Sequence, residues 1–272
     1  MVKIAVTGAT GFIGRAVVKE AESRDFEVIQ FDQTLGNDVL GYLSPLEGAE
    51  TVIHCAGVLG TSELFETPEF AIDVNVKGAL RVLDWCRTHD AGYVGITMLP
   101  VFPSVYTASK VCAQNLASAW HKAYGVPVSH VRAFNAFGPY QAHGVGHPQK
   151  IIPAFSVNAW TNQPIPVWGD GTQTVDLIHV DDVARMMVDA MRFGEDELLE
   201  AGTGVQVTVN DVANFILEHT GSEAGIEYLP MRKGEEPTDI VSTRIGWDLL
   251  DWEPTMNWDS LKETVDWYKT NA

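Results

Sequence analysis

Three glycines near the start of the chain constrain its fold more than any other feature. Gly8, Gly11 and Gly14 lie directly between a short β-branched run and a helical pattern. Glycine at such positions permits a tight turn and lets backbone N–H groups approach a phosphate at the N-terminus of the next helix, where the helix dipole favours negative charge. A merely tight strand-to-helix turn is the alternative. The strand and the helix on either side favour the first interpretation, a dinucleotide-binding fold.

Short β-branched runs alternate with helical patterns through the first half of the chain. The predicted strands cover residues 3–6, 26–31, 51–54, 93–97 and 128–131, and the predicted helices cover 12–22, 70–88 and 107–124. Strands of this kind are typical of a parallel sheet that helices cover on both faces. The pattern therefore predicts an α/β fold, a Rossmann-type doubly wound parallel sheet.

The character of the sequence changes after Pro139, where glycine and proline become frequent and the strand patterns become short. We therefore predict a nucleotide-binding Rossmann domain at residues 1–140 and a smaller, mixed α/β substrate-binding domain at 141–272. The segment 175–191 is expected to pack back on the first domain. Near the end of the chain, residues 258–268 form a predicted amphipathic helix, which we expect Asp259 or Ser260 to cap.

Charge and cysteine content restrict the partners and the location of the protein. The 36 Asp and Glu residues against 18 Lys and Arg give a formal net charge of −18, which disfavours nucleic acid as a partner. Cys55, Cys86 and Cys112 lie in apolar or helical stretches, which suits buried free thiols in a reducing compartment. The long uncharged stretch 151–169 contains three prolines. We therefore predict a cytoplasmic protein that does not enter a membrane.

Asp32 ends the second predicted strand, about where a dinucleotide-binding fold places an acid against the hydroxyl groups of the adenosine ribose. A carboxylate there repels a 2′-phosphate, and no Lys or Arg occurs between Arg24 and Lys77 to hold one. The alternative is that Asp32 only starts a turn before Gly36. The acid favours NAD over NADP as the cofactor.

Tyr106 and Lys110 are four residues apart at the start of a predicted helix, which puts both side chains on one face. A tyrosine that acts as a base near neutral pH needs its pKa lowered by about 3 units, and a neighbouring ammonium and the positive ring of NAD⁺ both have the sign for this. Thr97, at the end of the preceding strand, is the hydroxyl that would hold a substrate hydroxyl, with Ser104 and Ser109 as alternatives. The alternative for the Tyr-Lys pair is a solvated helix face, where such pairs are common. The alternative for Thr97 is a purely structural role.

Further short motifs occur in order along nearly the whole chain. They are Thr7-Gly8-x-x-Gly11-x-x-Gly14, Asn37-Asp38-Val39, His54-Cys55-Ala56-Gly57, Asn75-Val76-Lys77-Gly78, Tyr106-Thr107-Ala108-Ser109-Lys110, Arg132-x-x-Asn135-x-x-Gly138-Pro139 and Gly169-Asp170-Gly171-Thr172-Gln173. Together they resemble the extended short-chain dehydrogenase/reductase family. Within it, the likeness is to the NAD-dependent nucleotide-sugar epimerase/dehydratase branch, of the UDP-sugar 4-epimerase type.

The resemblance implies a set of site residues. The implied cofactor contacts are Gly8, Thr10, Gly11, Phe12, Ile13, Gly14, Asp32, Asp38, Val39, Ala56, Gly57, Asn75, Tyr106 and Lys110. By the same likeness, Asn135 and Arg232 contact the diphosphate of the substrate. Two features depart from the family. Val175 stands where many relatives have a second phosphate-binding arginine, and only eight residues separate Thr97 from Tyr106, where relatives have a longer loop.

The two residues after Thr97 discriminate among reactions. The dehydratases that the chain resembles have an Asp-Glu pair there as acid and base, whereas this chain has Met98 and Leu99, which cannot transfer protons. The reaction that needs only Tyr106, Lys110 and a hydroxyl group is epimerisation. In it a sugar carbon is oxidised to a ketone, the ketone rotates, and hydride returns to its other face. We therefore predict an NAD-dependent epimerase of a nucleotide-sugar. A reductase or dehydrogenase of another carbonyl substrate, and an NAD-binding module without chemistry, stay open.

Two further features concern metals and assembly. His143 and His147 have helical spacing, but two glycines between them and Pro148 after them disfavour a helix, so we expect a mobile substrate loop and no metal site. The predicted helices 70–88 and 107–124 match the segments that form a four-helix dimer contact in the family. The resemblance therefore implies a homodimer, with a monomer as the alternative.

Overall fold

The computed structural model of the protein describes residues 1–144 and 147–271. Its strands are β1 (Lys3–Thr7), β2 (Glu27–Phe31), β3 (Thr51–His54), β4 (Gly92–Thr97), β5 (Val128–Ala133), β6 (Asn135–Phe137), β7 (Ile165–Trp168), β8 (Thr174–Val175), β9 (Leu177–His179), β10 (Glu195–Ala201), β11 (Val207–Thr208) and β12 (Ile226–Leu229). Its helices are α1 (Phe12–Ser23), α2 (Pro68–Ala71), α3 (Ala79–Thr88), α4 (Val105–Tyr124), α5 (Ile151–Trp160), α6 (Val180–Asp189), α7 (Val209–Thr220) and α8 (Trp258–Asn271). A π-helical segment, Ile72–Gly78, joins α2 to α3.

The central sheet contains the strands β10, β5, β4, β3, β1 and β2 in this order, and its neighbouring pairs are parallel. Adjacent residues of β1 enter different layers. Ile4 and Val6 pack with residues of α1 and α6, whereas Ala5 packs with residues of α3 and α4. This alternation follows from the two-residue period of a strand, and it places helices on both faces. The predicted Rossmann-type doubly wound sheet is confirmed.

The edge strand β10 is the strand of this sheet that the sequence analysis missed. It begins Glu195-Asp196-Glu197, and its register against β5 shifts between Glu195 and Glu197. Acidic residues are depleted in strands, so the local pattern does not indicate one. Leu199 and Ala201 are nevertheless completely buried, because the sheet and α6 offer them apolar partners.

A third apolar cluster holds α5, α7, α8 and β7 together, with Ile152, Ile165, Ile216 and Leu261 among its members. The short strand pairs β6–β9, β7–β12 and β8–β11 accompany these helices. Helix α6 lies against α1, and β10 extends the sheet, so two elements beyond residue 140 pack with the first 140 residues. The division into domains at 1–140 and 141–272 stays a prediction.

Two details of the sequence analysis are corrected by the structure. Asn257, rather than Asp259 or Ser260, caps α8, because its Oδ1 accepts hydrogen bonds from the N–H groups of Asp259 at 2.9 Å and Ser260 at 3.2 Å. Cys112 was expected to be buried like the other cysteines but is exposed. The local sequence pattern permits any of the polar residues near the start of α8 to cap it, and it permits Cys112 to lie on either face of its helix.

Two further expectations concern the substrate loop and the membrane. Val145 and Gly146, in the middle of the predicted substrate loop 143–147, lie outside the described residues. Among the helices that the structure describes, none combines the length and the hydrophobicity needed to cross a bilayer.

Candidate active site

The turn after β1 is held by close main-chain contacts. A Cβ added to Gly8, whose φ is +70°, would lie 2.7 Å from the backbone nitrogen of Ala56, and one added to Gly14 would lie 2.0 Å from the carbonyl oxygen of Gly8. Gly11 has a φ of −70°, which suits any residue. Of the described atoms, the Gly8 carbonyl oxygen, at 3.2 Å, is the one near an added Cβ at Gly11. The fold itself therefore requires Gly8 and Gly14, whereas an added Cβ at Gly11 would make one close contact, with the Gly8 carbonyl oxygen.

Helix α1 begins directly after this turn and leaves its first backbone N–H groups available. Gly11 precedes the first helical residue, Phe12, and within the described part of the chain no side chain caps this N-terminus. The side chains of Phe12 and Ile13 line a cavity. The available N–H groups, the helix dipole and the lack of a side chain at Gly11 form a cradle that fits a pyrophosphate. The residues present therefore fit the dinucleotide that the sequence predicts.

Asp32 connects the end of β2 to the glycine turn. Its carboxylate accepts hydrogen bonds from the N–H and the hydroxyl of Thr34, both at 2.9 Å, and from the N–H of Thr10 at 3.3 Å. Burial raises the pKa of Asp32, but these hydrogen bonds outweigh burial and hold the pKa below its ordinary value. Asp32 thus starts the turn that ends at Gly36, which is the alternative role that the sequence suggested for it. It also keeps a negative charge beside the glycine turn.

Asp38 and Val39 lie in the loop that follows. Asp38 accepts hydrogen bonds from the side-chain amide of Gln33 at 2.9 Å and from the N–H of Leu40 at 2.8 Å. Val39 is buried against Gly78, where an added Cβ would lie 2.8 Å from Val39 Cγ2. Both residues are therefore held by contacts within the protein, and their placement against adenine stays a prediction.

Asn75 links the segment after β3 to helix α4. Its Oδ1 accepts a hydrogen bond from the N–H of Val58 at 2.8 Å, and its Nδ2 donates to the carbonyl of Val58 and to the hydroxyl of Ser109, both at 3.0 Å. A Cβ added to Gly57 would lie 3.0 Å from Asn75 Oδ1. The buried amide of Asn75 therefore holds Gly57 close to the helix that carries Tyr106.

Tyr106 and Lys110 lie in the first turns of α4, and both line the cavity. Burial raises the pKa of Tyr106 to about 12 and lowers the pKa of Lys110 to about 8. The lowering of the Tyr106 pKa that the sequence analysis expected is therefore not produced by the protein alone. Burial and, after it, the charge of Lys110 lower the pKa of the neighbouring His54 to about 3.

The three candidate hydroxyls differ in what they bind. The Thr97 hydroxyl donates to Gln114 Oε1 at 3.0 Å. Ser104 caps α4 by accepting a hydrogen bond from a backbone N–H at 3.1 Å, and the Ser109 hydroxyl donates to the carbonyl of Tyr106 at 2.8 Å. Within the described residues, the cavity lining includes Thr97 but neither serine. Thr97 is therefore the hydroxyl whose position suits a substrate contact, once it exchanges its bond to Gln114.

One cavity of about 380 Å³ is lined by all the predicted catalytic and substrate-contact residues. The predicted residues that line it are Phe12, Ile13, Gly57, Thr97, Tyr106, Lys110, Asn135 and Arg232. The predicted residues outside its lining are Gly8, Thr10, Gly11, Gly14, Asp32, Asp38, Val39, Ala56 and Asn75. The structure thus brings the catalytic candidates into one space with both substrate candidates.

Arg232, the predicted diphosphate contact, is paired with Glu235. Its Nε donates to Glu235 Oε2 at 3.0 Å, its Nη2 contacts the second carboxylate oxygen, and the guanidinium lies 5.7 Å from the centre of the Trp168 ring. Burial and then the charge of Arg232 lower the pKa of Lys150, which also lines the cavity. The sequence analysis missed Glu235, although a carboxylate three residues after an arginine is a signal for such a pair.

Asn135 and Val175 lie on short strands beside the cavity, and both line it. The Oδ1 of Asn135 accepts a hydrogen bond from the N–H of Asp176 at 3.4 Å. Val175 pairs with Val207 on β11, is 4% exposed and packs in the apolar cluster of α5 and α7. The position that many relatives fill with an arginine is therefore part of an apolar core in this chain.

Comparisons with known proteins cover almost the whole chain. A model of the NAD dependent epimerase/dehydratase family matches residues 4–97 and 100–202. A dTDP-glucose 4,6-dehydratase of Xanthomonas campestris pv. campestris is 29% identical over 98% of this chain and 93% of that protein. A UDP-glucuronate 4-epimerase of Thermodesulfobacterium geofontis is 28% identical over 92% of this chain and 81% of that protein. The solved structure of a Thermus thermophilus UDP-glucose 4-epimerase in complex with NAD shares the fold, with a TM-score of 0.87, 22% identity and coverage of 99% of this chain and 100% of that one.

Proposed function

Because this chain belongs to the NAD-dependent epimerase/dehydratase family, with NAD as its cofactor, we propose that it inverts the configuration at C4 of the sugar in a nucleotide-sugar. The composition of the cavity around Tyr106 carries the proposal. Tyr106 and Lys110 line the cavity, and so do Met98 and Leu99, the two residues after Thr97. A phenol and an amine without an adjacent pair of carboxyl groups suit reversible oxidation better than elimination of water.

The chain's own turn and strand ends supply the cofactor site. We assign the pyrophosphate of NAD to the backbone N–H groups that follow Gly11, the adenosine ribose to Asp32, and the nicotinamide side to the segment at Gly57. When bound, NAD would supply a hydride acceptor for oxidation of the sugar carbon and a hydride donor for reduction of either face of the resulting ketone.

Tyr106 moves the proton in this scheme. Its phenolate oxygen removes the proton from the hydroxyl on the reacting carbon, and the phenol returns the proton when the ketone is reduced. Because burial raises the pKa of Tyr106 to about 12, Tyr106 needs a positive charge nearby to act as a base, and the oxidised cofactor would supply one. Lys110, with its pKa of about 8, is mainly protonated at neutral pH and adds a second positive charge. Thr97 holds the substrate oxygen in place.

Elimination of water is supported less well by this cavity. That reaction needs an acid and a base beside the tyrosine, and in the described residues the carboxylates that line the cavity are Glu235 and Glu236. Neither occupies the two positions after Thr97, where Met98 and Leu99 stand. Glu235 is also engaged by Arg232.

A Tyr106→Phe variant tests the proposal. It keeps the ring and its packing but removes the group that exchanges the proton, so turnover is expected to fall by about 10² to 10⁴, while NAD affinity barely changes. Tyr93→Phe is the matched control, because Tyr93 is a buried tyrosine outside the described cavity lining.

The assay follows the sugar signals of a panel of nucleotide-sugars by NMR, together with NADH absorbance. Epimerisation forms product at constant absorbance, whereas a reductase consumes NADH. Unchanged turnover in Tyr106→Phe would mean that the active site proposed here is wrong.

The proposal also covers the oligomeric state of the protein and its location in the cell. Phe70 and Ile72 are 50% and 47% exposed on the helical segments that match the family's dimer contact. We therefore propose a homodimer in the cytoplasm that binds a nucleotide-sugar. Sedimentation equilibrium over a range of protein concentrations tests the dimer, and a monomer mass at every concentration contradicts it.

A further inference from the structure

Two segments that line the cavity meet beside it without sharing a strand or a helix. Thr61, in the segment after β3, and Arg232, in the loop after β12, both line the cavity. Ser62, the residue after Thr61, donates a side-chain hydrogen bond to the carbonyl of Lys233, the residue after Arg232, at 3.2 Å. The two segments are 171 residues apart in the chain at this contact. We refer to the contacts between residues 60–65 and 231–235 as the seam.

The two sides of the seam fit closely at Gly234. The φ of Gly234 is +80°, and a Cβ added to it would lie 2.6 Å from Cε2 of Phe65 and 3.1 Å from Cζ. The amine of Lys233 lies 5.3 Å from the centre of the same ring. The ring of Phe65 therefore lies on the main chain of the loop, where there is no space for a further side chain.

The seam is a loosely joined part of the cavity wall. Other lining residues stand on regular elements, such as Ile96 on β4, Tyr106 on α4 and Phe155 on α5. Moving these elements apart would break the sheet or detach a helix from it. Across the seam, by contrast, the side chain of Ser62 makes the one hydrogen bond between the two segments in the described part of the chain. A region with few contacts opens at a lower free energy than a core element does.

The proposed reaction needs a cavity wall that both opens and closes. Midway through epimerisation the sugar is a ketone, which has given its hydroxyl proton to Tyr106 and its hydride, with two electrons, to the cofactor. If the ketone leaves at this stage, reduced cofactor stays on the protein and no epimer forms. The wall therefore has to open for the nucleotide-sugar and to stay closed until hydride has returned to the ketone.

We propose that the seam is the gate of this cavity, which opens to exchange the nucleotide-sugar and closes to retain the ketone, with the ring of Phe65 on Gly234 as its latch. The retention of a ketone rests on the proposed function. The exchange of a ligand through the gate is measurable separately, with a nucleotide that undergoes no reaction.

A Gly234→Ala variant is designed to hold the gate open, because the added methyl group pushes against the Phe65 ring. Gly221→Ala is the matched control, since Gly221 also has a positive φ, +68°, but the space around its added Cβ is open. Both variants carry the same kind of backbone strain. Phe65→Leu in the Gly234→Ala chain makes room for the methyl group and is expected to close the gate again. Ser62→Ala loosens the seam without changing a glycine, and we expect a smaller effect in the same direction.

The first experiment measures exchange without chemistry. UDP and dTDP are mixed with the NAD-loaded protein, and stopped-flow tryptophan fluorescence, to which Trp168 in the cavity lining contributes, follows binding and release. Because an open gate is passed more often in both directions, Gly234→Ala is expected to raise the association and dissociation rate constants several-fold each and to leave Kd nearly unchanged. The loss of an ordinary binding contact changes mainly the dissociation rate constant and with it Kd, so the two roles are distinguishable.

The second experiment measures retention of the ketone. The same variants are incubated with a nucleotide-sugar that the original protein epimerises, while absorbance follows NADH and NMR follows the sugar. In Gly234→Ala, each escaping ketone leaves one NADH behind, so NADH is expected to accumulate several-fold faster than in the original protein. Epimerisation slows as oxidised cofactor is consumed. Gly221→Ala is expected to behave as the original protein does.

The outcomes separate the gate from the proposed function. Unchanged rate constants in Gly234→Ala and Ser62→Ala, or an equal rise in Gly221→Ala, overturn the gate, while epimerisation by the original protein still supports the proposed function. Faster exchange in a protein that epimerises no sugar refutes the proposed function and supports the gate as the route of exchange.

Two further results are decisive. Faster exchange without additional NADH, in a protein that epimerises, overturns the retention of the ketone by the seam. If neither nucleotide binds, both proposals are refuted. Should Gly234→Ala fail to fold, the same measurements on Ser62→Ala decide between these outcomes.

Discussion

The proposed cofactor cradle at the glycine turn, the cofactor end, and the cavity near Arg232, the substrate end, are built differently. At the cofactor end, main-chain atoms pack against main-chain atoms, so an added Cβ at Gly8 or Gly14 would lie 2.7 or 2.0 Å from backbone atoms. At the substrate end, side chains determine the shape, through the Arg232–Glu235 ion pair and through apolar lining residues such as Leu99. The main chain of the turn cannot move without disturbing β1, whereas side chains change with a single substitution. Substitutions at the cofactor end are therefore expected to disturb the fold, whereas substitutions at the substrate end can change the substrate specificity and leave the fold intact.

The largest expected effect on NAD binding comes from two alanine substitutions in the glycine turn. Gly14→Ala places a Cβ 2.0 Å from the Gly8 carbonyl oxygen, so the free energy of unfolding is expected to fall by about 3 kcal/mol and NAD binding to be lost. Gly11→Ala meets that oxygen at 3.2 Å and is expected to reduce stability less than Gly14→Ala does, while the methyl group obstructs the pyrophosphate and weakens NAD binding. Denaturant unfolding and calorimetry measure the two effects. Equal stability of the two variants would contradict the main-chain account of the cofactor end.

Acid is expected to destabilise the cofactor end through His54. The ring is buried, with its Nδ1 2.8 Å from the Thr7 hydroxyl, and its pKa is about 3. In the unfolded chain the pKa is near 6.5, so between pH 6.5 and 3 the unfolded state binds a proton that the folded state does not. The free energy of unfolding therefore falls as pH falls through this window, by a total on the order of 4 kcal/mol.

Unfolding curves at several pH values measure this dependence. His54→Gln is expected to remove most of the slope, and His89→Gln, which changes an exposed histidine, is the control and is expected to keep it. The idea fails if His54→Gln unfolds with the same pH dependence as the original protein.

Breaking the ion pair tests the substrate end. Arg232→Met leaves the Glu235 carboxylate, whose side chain is 9% exposed, without its partner. The free energy of unfolding is expected to fall by about 2 kcal/mol, and Glu235→Gln in the same chain is expected to recover most of it. NAD affinity is expected to stay the same, because the pair lies outside the cofactor cradle. A loss of NAD affinity in Arg232→Met would show that the two ends are coupled.

The smallest expected effect is at Val175, which lines the cavity but is 4% exposed. An arginine there adds a charge for the diphosphate, so Val175→Arg is expected to lower KM for a UDP-sugar about tenfold with little change in kcat, the pattern of added uniform binding. Val175→Met is the control, since it adds length without charge. A rise in KM for Val175→Arg would indicate that the apolar packing at this position sets the shape of the pocket.

Much of the fold and of the cofactor end was predictable from the sequence alone. The alternation of strands and helices, the glycine turn and the four-residue spacing of Tyr106 and Lys110 all depend on residues close together in the chain. The ends of the elements differ little, since the predicted strand 128–131 is part of β5 and the predicted helix 12–22 is part of α1. Local spacing determines which side chains share a face, so these features follow from the sequence.

Tertiary structure decided what depends on residues far apart in the chain. The acidic segment that forms β10 is a strand because β5 offers it a parallel partner. Thr97 is bonded to Gln114 because α4 packs beside β4. The pKa of Tyr106 rises to about 12 because folding removes water from its hydroxyl, which reverses the direction expected from its neighbour Lys110. Burial and long-range contacts arise only when distant segments pack together, and no local pattern contains them.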